Sequence, residues 1–381
     1  AADKEGNILP TKEEILNWLA EVQQEDIEPL KEEVNTDPLI EKMPKPGKVK
    51  KIKDDKFGAK LITLSNGVKV HVKKTDFSPN QISMSANSWG GTSLYSNDEY
   101  DQTGNIGLVS VGGWGNFSAT ELTKKLAGIQ ASVSTGVDSN SESVSGSCVK
   151  KDFETMLQLA YLHFTAPRKD VEAFNSAIQR SKASLQNQEL QPTTALRDTI
   201  AKVIYNNNVR ALRTKAEDLD KINYDRIIEL YKERFADGDD FEFFIVGDCD
   251  ADTIAPLLAQ YLGALPVKKG AEKYNIIDLK TAEGEVTNVF EKQQETPNAI
   301  VLFIYHTPMK VNLKNSLCIS ILDQIMDLTY TETIREDEGG AYGVPTSGSM
   351  SRYPAEEATM QIQLPTAPEK RAKMTEIVYK G

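Results

Sequence analysis

Apolar and polar positions alternate with period two along several short stretches of the chain, and longer stretches between them repeat at helical spacing. Ile15, Leu16, Trp18, Leu19 and Val22 recur on one helical face. Thr11 and Glu14 stand where a capping box would open the helix, so an amphipathic helix is expected over Thr11–Val34. From Asn35 to Lys56 the chain turns to Pro38, Pro44, Pro46, Gly47 and lysines, a composition that predicts an extended linker and places the start of the folded unit near Phe57. Leu61–Leu64, the Asn66-Gly67 turn and Val68–Val72 predict a hairpin, and Gln81–Ser88 continues the sheet. Helical patterns follow at Gly104–Val111 and Ser118–Ile129, the second with Ser118 and Glu121 as a capping box. Strand patterns then cover Ala131–Val137 and Ser141–Val149.

Several helices are expected between Lys151 and Phe235, with Pro167 and Pro192 near two of their boundaries. Phe241–Val246 is a buried-strand pattern, and Asp252–Leu262 a helix that ends in Gly263-Ala264-Leu265-Pro266. The order then starts again. Strands are expected at Val286–Lys292 and Ala299–His306, a long helix over Leu313–Arg335, strands at Ala341–Met350 and Ala358–Leu364, and a helix from Pro368. A repeat of whole domains accounts for this order. It divides the chain into helix and linker (1–56), a first domain (57–266) and a second (267–381) with no counterpart of Asp170–Pro266. A sheet lacking those elements leaves apolar surface in water, so the second domain is expected to be incomplete. A longer chain carrying about 80 further residues should melt higher.

Composition removes several function classes. The net charge of −12, without a basic stripe interleaved with aromatics, argues against nucleic acid as a partner. No apolar run approaches the ~20 residues that span a bilayer, so the chain is expected to be soluble. Cys148, Cys249 and Cys318 are scattered and include no CxxC, which fits buried apolar residues and neither a disulfide framework nor a thiolate zinc site. Gly104–Gly115 fits neither dinucleotide nor Walker loops. Asp237, Asp239 and Asp240 lack the twelfth-position glutamate of a calcium loop and are expected in a solvated turn.

Three segments resemble the pitrilysin and insulin-degrading enzyme family of zinc peptidases, the inverzincins. Phe243–Asp248 followed by Tyr261–Pro266 resembles the family's domain ending, and Leu64–Val70 the hairpin that opens such domains. Arg335–Val344 (REDEGGAYGV) is similar to the arginine and tyrosine segment of the family's carboxyl-terminal half. With the preceding helix and linker, the resemblance covers nearly the whole chain. It implies an α+β fold of repeated domains, each a mainly antiparallel sheet covered by helices. It also implies the carboxyl-terminal, non-metal-binding half of a metallopeptidase, whose amino-terminal half carries the zinc on the same polypeptide or as a separate subunit.

The family's zinc is held by an H-x-x-E-H helix and a later glutamate. At the equivalent place this chain reads Ile106-Gly107-Leu108-Val109-Ser110-Val111-Gly112-Gly113, and His71, His163 and His306 are far apart, which fits structural roles. From spacing alone, Arg335 reads as a solvated helix-end cation and Tyr342 as a packed strand aromatic. The resemblance gives them other roles: Tyr342 donates a hydrogen bond to the substrate carbonyl as it becomes an oxyanion, and Arg335 holds the substrate and that charge. Zinc and the general-base glutamate would come from the other half, peptides would be the substrate, and the isolated chain is expected to be inactive. A non-catalytic scaffold or partner subunit is the alternative. Bacterial relatives suggest the periplasm.

Overall fold

In the computed structural model, which describes residues 10–24, 35–268, 270, 272–294, 296–336 and 343–380, helix α1 spans Lys12–Gln24. The Thr11 N–H and hydroxyl both donate to Glu14 Oε2, at 2.7 and 2.9 Å, and the Glu14 N–H returns to Thr11 Oγ1 at 3.2 Å. This is the expected capping box, and these bonds hold the Glu14 carboxyl below its ordinary range. The expected continuation to Val34 lies, over 25–34, outside the described residues.

The larger body begins with β1 (Val49–Asp54), β2 (Lys60–Leu64), β3 (Lys69–Lys74) and β4 (Gln81–Trp89), then the one-turn helix α2 (Tyr100–Thr103) and α3 (Ala119–Lys125). β5 (Ala131–Val137), β6 (Ser141–Val149), α4 (Phe153–Thr165), α5 (Val171–Glu189), α6 (Pro192–Ile204), α7 (Tyr224–Arg234), β7 (Glu242–Gly247) and α8 (Ala251–Tyr261) follow. The strands form a seven-stranded sheet in the order β1-β2-β3-β7-β4-β6-β5, antiparallel throughout except for β3 beside β7.

β1 occupies part of the stretch read from composition as linker. Lys48 and Ser65 exchange bonds that start the β1–β2 ladder, and the Gly47 N–H donates to Ala259 O at 2.9 Å. Gly47 lies against Gly263, where a Cβ would come within 2.5 Å of the Gly263 carbonyl oxygen. Leu39 and Ile40 join the buried core. Pairing partners that distant in sequence leave no mark on local composition.

The β2–β3 turn is where two of the family-like segments meet. Asn66 Nδ2 donates to the carbonyls of Leu262 and Leu265, at 2.9 and 3.3 Å, which ties the hairpin to the turn after α8. α8 packs on β1, β2 and β3, while α4 packs on β5 and β6. Between these layers Phe164, Phe235, Phe241 and Phe243 form an aromatic cluster, each less than a twentieth exposed. Asp237, expected in a solvated turn, is buried and accepts the Asp239 N–H.

The second sheet has its own core. β8 (Ala299–Pro308), α9 (Leu313–Tyr330), β9 (Thr346–Ser351), β10 (Glu357–Thr366) and α10 (Arg371–Lys380) build an antiparallel sheet in the order β8-β10-β9. Phe303, Tyr330, Ile362, Leu364 and Met374 fill the space beneath it. The order places the third strand between the first and second, as in β4-β6-β5 of the larger sheet, so the two sheets share a strand arrangement as well as an element order. The strand expected at Val286–Lys292 does not form, and that segment is irregular with Val286 and Val289 exposed. Its apolar residues do not keep a period of two, and among the described residues no strand pairs with it. The strand expected over Ala341–Met350 starts at Thr346.

Candidate functional site

Arg335 stands at the end of the α9 rod. After Tyr330 the helix widens into a π-helical run, Thr331–Glu336, a form often found at functional positions. Tyr330 and Ile334 anchor this end: both are buried in the second core, and the Tyr330 hydroxyl donates to Val378 O at 3.1 Å. Arg335, the next residue, is exposed. Tyr342 lies outside the described residues, so the geometry of the Arg335–Tyr342 pair does too. The chain returns at Gly343, and buried Val344 leads into β9.

The segment expected to be helical over Gly104–Val111 forms a 3-10 helix, Ile106–Gly112, in place of an α-helix. Gly112 and Gly113 account for the difference. Gly113 takes φ of +84°, and a Cβ on Gly112 would come within 2.0 Å of the Arg168 carbonyl oxygen. α5 and α7 pack over this segment, and on its other side a cavity of about 200 Å³ opens toward β5.

Buried groups line that cavity. His163 stacks on Trp114 with ring centroids 3.8 Å apart. The Tyr231 hydroxyl donates to the His163 carbonyl at 2.9 Å, and Thr135 Oγ1 lies 3.0 Å from that hydroxyl and 3.3 Å from His163 Nδ1. Burial lowers the His163 pKa to about 3, so the ring is neutral at physiological pH, and burial raises that of Tyr231. The sequence shows His163 only as one polar residue in an apolar helix; its partners Thr135 and Tyr231 are 28 and 68 residues away.

These residues do not fit a zinc site. Ile106, Gly107, Val109 and Ser110 offer no strong metal ligand, and among the described residues no cluster of three or more His, Cys, Asp or Glu is placed to hold a metal. The other histidines have separate partners. His71 lies between Asp55 and Glu242, at 2.7 and 2.9 Å, and His306 bonds Thr281 Oγ1 and Ala282 O. Cys148 and Cys249 are buried, with thiols pushed up to about 12 and 11 by desolvation, whereas Cys318 is exposed, contrary to its expected burial. No helix among the described residues is long and apolar enough to cross a membrane.

Comparison with known proteins finds likeness in sequence over part of the chain and in fold over most of it. Residues 221–381 match the family described as "Peptidase M16 inactive domain". The chain is similar to a "Zinc protease PQQL-like" protein of Arabidopsis thaliana, 25% identical over 335 residues, covering 84% of this chain and 32% of that protein. Among solved structures it superposes on the periplasmic protease PqqL from Escherichia coli with a TM-score of 0.79 at 18% identity, over 97% of this chain and 41% of that one. Pitrilysin gives a TM-score of 0.59 at 10% identity, over 89% and 37%. The chain thus spans about a third of the curated relative and two fifths of these solved chains.

Proposed function

We propose that this chain, whose residues 221–381 match the "Peptidase M16 inactive domain" family and which is similar to a zinc protease-like protein, forms the non-metal-binding half of a zinc-dependent peptidase. In this reading it binds peptide substrate and stabilises the transition state, while a zinc-bearing half supplies the metal. The observation that carries the proposal is the match of residues 221–381 to the "Peptidase M16 inactive domain" family in a chain that is similar to a zinc protease-like protein. The roles of this chain's own residues follow from charge. Tyr342 donates a hydrogen bond to the oxygen that gains negative charge as the substrate carbonyl becomes tetrahedral, and Arg335 holds the substrate and that charge. Two domains, one up to Pro266 and one over 267–381, are supported by two separate hydrophobic cores, the first of which also takes in Leu39 and Ile40 of the stretch expected to be linker. A periplasmic location is supported by the E. coli neighbour.

The test is complementation. This chain and a separately produced zinc-bearing half are assayed alone and mixed, with an unstructured fluorogenic peptide. Neither alone should hydrolyse it, and the mixture should, in a chelator-sensitive manner. Hydrolysis by this chain alone would overturn the proposal. A mixture that assembles without cleaving would favour a scaffold.

A further inference from the structure

β5 is the outer strand of the seven-stranded sheet, and its outer edge has no partner strand among the described residues. The register decides which groups it offers. Val149 N–H donates to Gln130 O and Asp138 N–H to Ser141 O, so the ladder with β6 uses the even-numbered positions of this strand. By the alternation of an antiparallel pair, Ala131, Val133, Thr135 and Val137 turn their N–H and C=O groups outward.

Open edges are ordinarily blunted by lysine, proline or a bulge. β1, the outer strand on the opposite side, is defended in this way: its sequence VKKIKD holds three lysines, and its register slips between Val49 and Lys51. β5 reads ASVSTGV, with no charge, no proline and an unbroken register. An undefended edge in a sheet whose opposite edge is defended is a template for strand pairing.

The cavity lies alongside this edge. Thr135 bonds Tyr231 beneath the sheet, so the odd-numbered side chains of β5 face the helices, toward Ile106, Gly107 and Trp114. A strand added outside β5 would send every second side chain to that same side, over a space larger than the ~150 Å³ cavity known to take benzene. No charged residue lines the space, and His163 in its wall is neutral. On the opposite face, β5 and β6 carry exposed hydroxyl pairs, Ser132–Ser147 and Ser134–Ser145.

We propose that the outer edge of β5 and the adjoining cavity bind an extended peptide by strand addition, with uncharged apolar side chains at alternate positions facing the cavity. This deepens the reading of the chain as a substrate-binding half, and it names the segment that half would hold. Binding is read on this chain alone, without metal or hydrolysis, so either reading can fail without the other.

The experiment screens an array of eight-residue uncharged peptides with alternating apolar and polar residues against peptides of equal composition with the apolar residues in one block. Affinities are then measured by fluorescence anisotropy. Alternating peptides should bind at least tenfold tighter than blocked ones, and N-methylation of the amides that pair with β5 should weaken them at least tenfold. Gly107→Phe enlarges a residue whose added Cβ would meet no atom within 4 Å, so it should weaken binding tenfold with an unchanged melting temperature. Val133→Pro, which removes an outward N–H and no β6 bond, supplies an independent second variant. The proposal is overturned by the absence of any binder among alternating peptides, by equal binding of methylated and unmethylated peptides, or by both variants binding as wild type.

Discussion

His71 Nδ1 lies 2.7 Å from Asp55 Oδ2, joining β3 to the turn between β1 and β2, while its other ring nitrogen meets Glu242 on β7 at 2.9 Å. Phe244 stacks on the same ring at 4.8 Å. The bond from His71 is the main cause that holds the Asp55 carboxyl below its ordinary range, against the opposing effect of desolvation. A depressed folded pKa means that Asp55 stabilises the fold above its unfolded value, and that this contribution disappears as pH falls through the folded value. Asp55→Asn should therefore be less stable than wild type at pH 7. The gap should narrow as pH falls through the folded value, and urea denaturation in a series descending from pH 7 follows it. A gap that stays constant would remove the bond as its cause.

Gly67 turns the β2–β3 hairpin at φ of +104°, with Asp239 packed where its Cβ would be, 2.3 Å from a carboxylate oxygen. Gly67→Ala should cost about 1–3 kcal/mol, because a non-glycine residue in that backbone region is strained. The carboxylate can swing aside, whereas the backbone angle cannot change without breaking the register. Asp239→Ala should therefore recover less than half of the loss in a double-mutant cycle followed by thermal denaturation. Full recovery would assign the cost to the clash alone.

Where neighbouring residues decide a structure, the sequence carried it. The Asn66-Gly67 turn, the capping boxes at Thr11 and Ser118, and the alternation in β4 through β6 all act over a few positions, and each forms as expected. The repeated order of elements was legible for the same reason. What was hidden depends on distant partners. β1 forms because Gly47 docks against Gly263, His71 meets a carboxylate 171 residues away, and Trp114, Thr135, His163 and Tyr231 converge from four separate segments. At the candidate site, the REDEGGAYGV pattern proposes Arg335 and Tyr342 by likeness alone, whereas the π-helical turn at Arg335 depends on how Tyr330 and Ile334 enter the second core.

Glu142 is fully buried, and Arg234 is its cation, with Nη1 at 3.3 Å from Oε1; the Gly91 N–H also donates to that oxygen, and Oε2 has no partner. Burial raises the carboxyl pKa despite these bonds. Arg234→Met would leave this buried acid without its cation and should cost about 3–5 kcal/mol. For a carboxyl with a raised folded pKa, stability falls as pH rises from the unfolded value through the folded one. The loss in Arg234→Met should thus be greater at pH 7.5 than at pH 5. Adding Glu142→Gln, which cannot ionise, should flatten that dependence in chemical denaturation, and a dependence that persists would locate the titrating group elsewhere.

Tyr342→Phe isolates one hydroxyl in the assembled, zinc-bearing enzyme. If the phenol donates to the developing oxyanion, its removal acts in the transition state far more than in substrate binding, and kcat should fall roughly 100- to 1000-fold with KM little changed. Zinc content, measured by atomic absorption, should stay at the wild-type level, because the described residues of this chain offer no metal cluster. Arg335→Ala differs in kind: a guanidinium that holds the substrate in both ground and transition states should raise KM as well as lower kcat. Arg335→Lys should restore part of the charge effect but not the planar two-pronged grip. An unchanged kcat in Tyr342→Phe would remove the tyrosine from the reaction while leaving the arginine to be judged by its own split between KM and kcat.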